Sequence, residues 1–372
     1  MSVRRIALST MKEIAFFSHE FKKLFGRPRI DSLILYVTSR CNARCSFCFY
    51  KENLNAGNDL DLAQITRISK NIPALKGLLI GGGEPFLRED MAEIISAFVS
   101  HCRVEVVQIP TNGFLTDRIV SQVREITRKH PHLNLSIQFS LDALGAQHDA
   151  MRGLNHCFQK AEETIAALKN FRNKDMRLRI LVVSVLTPET LPICRDIVEY
   201  VKKNIAPDYH WFEPVRDMPD DQKQLHLSQD DTALLRDNLA YYIKKSKGAA
   251  SSIYNSALFN RMITAFSLNN FDIAYNNLLH NTPWPVHCCA GTRMAVLYPD
   301  GRLAACELRK ETLNIKDFHY NIPEALQHGR FKNVRADIAR HACDCTHGCF
   351  IPTSVRYSPA ELLKILGRSF WL

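Results

Sequence analysis

Three cysteines within eight residues, Cys41, Cys45 and Cys48, carry the strongest chemical signal in the chain. They stand in Thr38-Ser39-Arg40-Cys41-Asn42-Ala43-Arg44-Cys45-Ser46-Phe47-Cys48-Phe49-Tyr50, directly after the apolar run Leu33-Ile34-Leu35-Tyr36-Val37. The spacing is Cys-x3-Cys-x2-Cys, with aromatic Phe47 just before the last thiol, on a loop hung from the end of a first buried strand. A four-iron, four-sulfur cluster has four irons to ligate, so a protein supplying three thiolates leaves one iron open to another ligand. A zinc loop, or chance clustering, is the competing reading of this triplet taken alone.

A second signal lies one helix and one strand further on. The strand Gly77-Leu78-Leu79-Ile80 runs into Gly81-Gly82-Gly83-Glu84-Pro85. Glycine lets backbone groups approach a ligand closely, and the end of a strand in an alternating α/β sheet is where such a ligand sits. With both motifs in place the chain resembles the radical S-adenosylmethionine (SAM) superfamily. The resemblance implies that Cys41, Cys45 and Cys48 hold a [4Fe-4S] cluster whose open iron is chelated by the amino and carboxylate groups of SAM. One electron then breaks a sulfur–carbon bond, giving methionine and a 5'-deoxyadenosyl radical that removes hydrogen from a substrate. It also implies cofactor contacts at Phe47 and at Gly82, Gly83, Glu84 and Pro85, the last four around the SAM amino group.

Ser140-Leu141-Asp142-Ala143 leading into His148-Asp149-Ala150-Met151-Arg152-Gly153 is similar to the Ser-x-Asp-Gly…His-Asp-x-x-Arg-Gly stretch of family members that carry an extra cluster, with Ala143 where glycine is usual. By that match Ser140 touches the SAM ribose or carboxylate, and the planar fork of Arg152 pairs with the carboxylate. A loop salt bridge between Asp149 and Arg152 is the alternative. Val183, Val185 and Leu186, at the end of the fifth strand, offer apolar surface to adenine or simply pack the core. Glu213 and Arg216 close the sixth strand and are candidates for the substrate site, or an ordinary ion pair.

The second cysteine group spans Cys288, Cys289, Cys306, Cys343, Cys345 and Cys349. Met294 to Tyr298, the turn Asp300-Gly301 and Arg302 to Cys306 read as a β-hairpin that brings Cys289 towards Cys306. Cys289, Gly301 and Cys306 resemble the auxiliary-cluster region of SPASM and twitch proteins. Six cysteines are too few for two full clusters there, so one auxiliary iron–sulfur cluster is expected. Its ligands are expected to be Cys289, Cys306, Cys345 and Cys349, with Cys343 or Cys288 as substitutes. A zinc hairpin is the competing reading, with His347 as the ligand to test.

The positioning elements alternate regularly. Helix 90–102, strand 104–109, helix 117–128, strand 133–140, helix 158–170, strand 178–186, helix 189–203 and strand 210–213 follow the first two strands, which means right-handed βαβ units and a parallel sheet. The expected fold is α/β, a partial (β/α)6 TIM-like barrel with a C-terminal β-hairpin and helix auxiliary-cluster domain. The expected organisation is a basic amphipathic helix within residues 1–30, the barrel over 31–216, a helical connector over 217–281, the cluster domain over 282–350 and a C-terminal helix over 351–372. Ser358-Pro359-Ala360-Glu361 begins that last helix with a hydroxyl cap and a proline in the first turn.

Composition narrows the setting. With 372 residues, 46% of them hydrophobic, the chain can bury a large core. It holds no run of eighteen apolar residues, and Met1 to Arg5 lead into a mixed segment rather than a signal peptide, so a cytoplasmic protein is expected. Nine of the twelve cysteines fall in the two groups, which favours metal ligation over disulfides; Cys102, Cys157 and Cys194 read as buried apolar residues. Net charge is 48 − 38 = +10, and residues 1–30 supply half of it, with Ile14, Phe17, Phe21, Leu24 and Phe25 at helical spacing. That basic end suits an acidic or phosphorylated substrate or peripheral membrane contact through the termini; nucleic acid is not favoured.

The expected activity is therefore hydrogen abstraction from a substrate by a radical SAM enzyme of oxidoreductase type, fed by an external one-electron donor such as a flavodoxin or ferredoxin. Oxidation or other modification of a small polar molecule, a sugar or alcohol, is favoured. Modification of a ribosomally made peptide is the alternative, slightly disfavoured because too few residues precede Cys41 for a separate recognition domain. A non-enzymatic iron–sulfur electron carrier is the reading from another class, but it has no use for an open iron or for the glycine turn.

Overall fold

The computed structural model describes residues 29–173, 176–216, 225–249, 257–340 and 345–371. The apolar positions of the expected amphipathic helix, Ile14 to Phe25, and Cys343 lie outside the described residues. The described residues divide into two compact units, one within residues 29–225 and 290–337, the other within residues 226–289 and 338–372.

The first unit is built on a nine-stranded sheet in the order β6-β5-β4-β3-β2-β1-β7-β8-β9. Strands β1 (Ser32–Tyr36), β2 (Gly77–Gly81), β3 (Val106–Thr111), β4 (Asn134–Ser140), β5 (Leu178–Leu186) and β6 (Tyr209–Pro214) are parallel neighbours in sequence order. Between them run α1 (Leu62–Lys70), α2 (Met91–Cys102), α3 (Thr116–Lys129), α4 (Gly145–Arg152), α5 (Cys157–Phe171) and α6 (Cys194–Tyr200). The alternating sheet and helices expected from the sequence are present, and every residue of β1 is buried, as a strand covered on both faces requires. The helix expected over 189–203 is broken up instead. A 3-10 turn, Leu191–Ile193, precedes α6, and a wide turn over Val201–Ile205 follows it. Pro192 lies in the first of these turns and has no N–H to give a helix.

The expected hairpin is there, but it is not freestanding. Its first strand, β7 (Met294–Leu297), pairs in parallel with β1, matching Ser32 to Met294 and Leu35 to Leu297. Strands β8 (Arg302–Ala304) and β9 (Thr312–Asn314) continue the sheet antiparallel. An open edge on the most buried strand would leave a row of unpaired backbone groups, and β7, buried along its whole length, closes it. Gly301 adopts φ 93° in the turn between β7 and β8, a conformation that the Asp-Gly pair makes accessible. Two short helices, α9 (Ile322–Ala325) and α10 (Gly329–Arg340), come next in the chain.

The second unit is helical among its described residues, with α7 (Gln229–Ala249), α8 (Ala257–His280), α11 (Phe350–Arg356) and α12 (Pro359–Ser369). The buried Asn269 amide donates to the Glu361 carboxylate at 2.7 Å, and Asp272 accepts from Arg368 at 2.7 Å, tying α8 to α12. Ser358 caps α12 as expected, its hydroxyl accepting from Glu361 N at 3.4 Å. Ile365 is buried, whereas Leu363, Phe370 and Trp371 are 70%, 63% and 92% exposed, so the apolar tail docks along one side only. Among the described residues no helix is long and apolar enough to cross a membrane.

One buried carboxylate fixes the C-terminal ends of β2 and β3 against each other. Glu84 accepts from the Thr111 hydroxyl at 2.9 Å, from Asn112 N at 2.8 Å and from Phe86 N at 3.2 Å. Burial pushes its carboxyl up to about 7, even though these three donors favour the anion. Because the folded value lies above the unfolded one, the protonated group favours the fold at low pH, and that contribution fades as pH rises through about 7. From this group the metal-free protein should lose on the order of 3 kcal/mol between pH 5 and pH 8 at about 1.4 kcal/mol per pKa unit, while buried His148 and His210, lowered to about 4 and about 3, act in the opposite sense up to about pH 6.5. Across that range the urea midpoint of the native sequence should fall relative to that of Glu84→Gln, which keeps both histidines. Parallel curves for the two would clear Glu84 of the effect.

Candidate cluster and cofactor site

The cysteine loop leaves β1 at Thr38 and is held by side chains that the sequence gave no reason to single out. The Asp59 carboxylate accepts from the Thr38 hydroxyl at 2.6 Å and from Ser39 N at 2.9 Å. The Asn55 side-chain oxygen takes Cys41 N at 3.0 Å, while Asn55 N donates to Ser39 O at 2.8 Å. The buried Arg88 guanidinium donates to Val37 O and Leu60 O, both at 2.7 Å, and pairs with Asp90. A buried carbonyl needs such a donor, and no regular strand partner supplies one at a strand end.

The glycine turn is pressed directly onto this loop. Gly83 N donates to Thr38 O at 2.9 Å and Glu84 N to Arg40 O at 2.8 Å. A Cβ on Gly82, which adopts φ 132°, would overlap the Thr38 carbonyl, and one on Gly83 would overlap the Arg40 carbonyl and stand 2.8 Å from Cys41 Cβ. The missing side chains thus make room for the backbone of the cysteine loop. Pro85 is buried at the start of a 3-10 turn, Pro85–Leu87, and the Glu84 carboxylate faces Thr111 and Asn112.

Cys41, Cys45 and Cys48 are free thiols, each partly exposed. Burial raises the Cys41 thiol to about 11, partly offset by Ala43 N, which donates to its sulfur at 3.4 Å. Burial raises Cys48 as well. Thiols in such surroundings stay protonated unless a cation takes the proton's place, which suits metal ligation. Among the described residues no three His, Cys, Asp or Glu side chains converge on one ion position. Convergence is not what a four-iron cube needs, since each thiolate goes to a different iron. Beside the loop the Asn42 side-chain nitrogen is buried without a hydrogen-bond partner, although the Asn42 oxygen accepts from Asn112 at 2.8 Å. Three thiols on one backbone-locked loop next to an unspent donor fit a cluster with a polar organic ligand.

The end of α4 supports the other side of the loop. Arg44 N donates to Arg152 O at 2.8 Å and Ser46 N to Met151 O at 3.0 Å. The Arg152 side chain pairs with the buried Asp142 rather than with Asp149, its Nε 2.7 Å from Asp142 Oδ2. Asp149 instead accepts from His156 N and Phe158 N at the start of α5, at 2.6 and 2.8 Å. The Asp149–Arg152 bridge that was the alternative to a cofactor contact is not formed, because the orphan donors of the next helix claim Asp149. Burial alone would lower the Arg152 guanidinium, but Asp142 and then Cys45 outweigh it and hold it above its ordinary value. Arg152 Nη1 lies 3.5 Å from Cys45 Sγ, and the guanidinium carbon sits 5.5 Å from the centre of the Phe47 ring. Asp142 also accepts from Val185 N at 2.9 Å, which joins β5 to the same network.

At the sheet's C-terminal end Ser140 and Val185 are half-buried, whereas Val183 and Leu186 are core residues. Of the three apolar positions proposed for adenine, the burial pattern leaves Val185 alone accessible. Glu213 and Arg216 do approach each other, at 3.7 Å, but Arg216 also reaches Glu307 at 3.3 Å and lies 5.7 Å from the centre of the Phe49 ring. Glu307 accepts from the Tyr36 hydroxyl as well, and burial followed by that carboxylate keeps the phenol proton in place. Sequence reasoning missed Glu307, since nothing local marks it apart from its place after Cys306.

The second cysteine group divides between the units, with Cys306 in the sheet unit and Cys288, Cys289, Cys345 and Cys349 in the helical one. Cys306 Sγ accepts from Leu308 N at 3.4 Å, the same two-residue turn that Cys41 makes with Ala43. Within the helical unit Cys289 N donates to the Ser354 hydroxyl at 3.0 Å, and Trp284 donates to Cys345 O at 2.7 Å. His347 is buried with its ring edge-on to Phe350.

Comparison with known proteins matches this geometry. Residues 35–197 match the radical SAM superfamily model. A probable GTP 3',8-cyclase of Methanocaldococcus jannaschii is 24% identical over 314 residues, covering 78% of this chain and 89% of that protein. A GTP 3',8-cyclase of Clostridium perfringens is 26% identical over 180 residues, covering 45% and 55%. Among solved structures, native anSMEcpe with bound AdoMet and Cp18Cys peptide superposes with a TM-score of 0.53 at 17% identity, over 81% of each chain. Streptococcus suis SuiB bound to S-adenosylmethionine gives 0.53 at 17% identity, over 86% of this chain and 68% of that one. At such identities these two speak for the fold alone. The loop of three thiols and the glycine turn locked to it both lie inside the matched segment, so residues 35–197 carry a radical SAM domain, whose cofactors are a [4Fe-4S] cluster and SAM.

Proposed function

We propose that Cys41, Cys45 and Cys48 hold the catalytic cluster and that the chain abstracts hydrogen from a small polar substrate, with a purine nucleotide the first candidate. The observation that supports the site is the backbone lock between Gly82-Gly83 and Thr38 to Cys41, which sets three thiols in place beside the ends of β2 to β4. When bound and reduced by an external one-electron donor, the cluster and SAM supply a carbon-centred radical able to take hydrogen from substrate. The chain's own part is to hold and shield them. Asn42, the backbone of residues 82–84, Ser140 and Val185 line the cofactor side, and Arg216 with Glu213 meets the substrate.

The nucleotide candidate comes from relatives named for cyclising GTP, two of which match over 89% and 96% of their own length. Those names point to ring closure and away from oxidation of a sugar or alcohol, so the oxidoreductase expectation gives way to a rearrangement within one substrate. An auxiliary iron–sulfur cluster is part of the proposal, with Cys306 as a ligand in the sheet unit. A backbone N–H donated to a sulfur stabilises the thiolate, and Cys306 receives one from Leu308 just as Cys41 does from Ala43.

Anaerobically reconstituted protein given SAM and dithionite should release 5'-deoxyadenosine, and Cys45→Ala should abolish the release. Intact SAM over a fully loaded, reduced cluster would overturn the assignment. GTP should raise deoxyadenosine yield above the substrate-free level and, when deuterated at the ribose, pass deuterium into it; GTP that does neither is not the substrate.

Gly83→Ala tests the lock. A methyl group there collides with backbone that has nowhere to go, so iron content per chain should drop by on the order of tenfold while the far-ultraviolet dichroism stays native. A fully loaded cluster in this variant would show that the apposition is dispensable.

A further inference from the structure

We propose that Arg152 acts on the cluster through the sulfur of Cys45, holding its reduction potential up, rather than on the carboxylate of bound SAM. The proposal rests on Cys41, Cys45 and Cys48 being the cluster ligands. A guanidinium presents two edges and a tip, and here one edge is already occupied: Nε and Nη2 both donate to Asp142 Oδ2. What is left is Nη1, and it points at Cys45 Sγ from 3.5 Å. Asp142, itself fixed by Val185 N at 2.9 Å, keeps the Nε edge, so the one fork left is the edge of Nη1 and Nη2, and a ligand carboxylate could take it only by drawing Nη1 away from Cys45 Sγ. The Phe47 ring beside the guanidinium carbon and the carbonyls of Met151 and Arg152, which accept from Ser46 and Arg44, keep the tip and the sulfur in register.

Reduction transfers one electron from the external donor to the cluster, whose net charge becomes one unit more negative; no bond to protein is made or broken. Hydrogen bonds to cluster sulfurs and nearby positive charge favour the reduced state. Of the two members of the Arg152–Asp142 pair, the cation is the one in contact with the sulfur. Its charge-assisted donation therefore stabilises the reduced cluster more than the remoter carboxylate opposes it.

The test is the midpoint potential of the reconstituted protein without SAM, read by EPR in a titration against mediator dyes, together with SAM affinity by calorimetry. Arg152→Gln should weaken electron uptake by tenfold or more in the equilibrium constant, about 59 mV for a one-electron couple. Arg152→Lys keeps the charge but loses the fork, and should fall between the two. SAM affinity should change less than threefold in both. Potentials that stay within twofold of wild type in both variants while SAM binding weakens would overturn the proposal and give Arg152 to the carboxylate. If the Gln variant assembles no cluster, an unmoved potential in the Lys variant overturns it equally. Wild-type protein that takes up no cluster fails earlier, in iron and sulfide analysis, and overturns the ligand assignment along with the proposal.

Discussion

The cysteine loop and the glycine turn share one contact plane, and no side-chain atom can fit between them. Gly82 and Gly83 lie so close to Thr38, Arg40 and Cys41 that a single methyl group would have to displace backbone. Strand β2 thereby dictates where the loop from β1 runs, and with it where the three sulfurs point. Asp59, Asn55 and Arg88 then satisfy the polar groups that this irregular path leaves over. A ligand set fixed before any metal arrives leaves less of the binding free energy to be spent on ordering the chain.

The same economy explains why a charged pair lies beneath the loop. Burying Arg152 and Asp142 costs desolvation that their attraction only partly returns, so the pair is weak evidence of a stability role. It does fix a direction. Asp142 is held by β5 and Arg152 ends α4, so the guanidinium tip can reach only towards Cys45 and Phe47. An apolar pair of equal volume would pack as well and leave the sulfur without a donor.

Much of the architecture and the core of the site was legible in the sequence. Strands β1 to β6 announce themselves as apolar runs between helices of regular length, and the cysteine spacing with Gly-Gly-Glu-Pro identifies the loop and turn. What was not legible depends on pairings distant in sequence. Nothing near Met294 says that it will lie beside Ser32, because a buried parallel strand and the first arm of a free hairpin are both short apolar runs. Asp149 sits at hydrogen-bonding distance from Arg152 along the chain, yet the demand of the α5 N-terminus for an acceptor decides its partner. Glycine reports only that something comes close, and the loop's own backbone is a neighbour that the sequence does not name.

In the proposed reading, radical generation and substrate choice fall on different parts of the chain. The cysteine loop, the glycine turn, Asp142 and Arg152 all lie inside the segment that matches the superfamily model, residues 35–197. Glu213, Arg216 and Glu307 lie beyond it, on the end of β6 and after β8, yet Arg216 reaches back over Phe49, one residue from Cys48. A cation flanked by two carboxylates differs electrostatically from a cluster of unopposed arginines. It offers a substrate donors and acceptors side by side, at little net charge, and so favours a patterned polar group over a dense polyanion. If a nucleotide is bound here, its base or ribose is the part that suits this corner, and any phosphates must find their countercharge elsewhere on a chain of net charge +10.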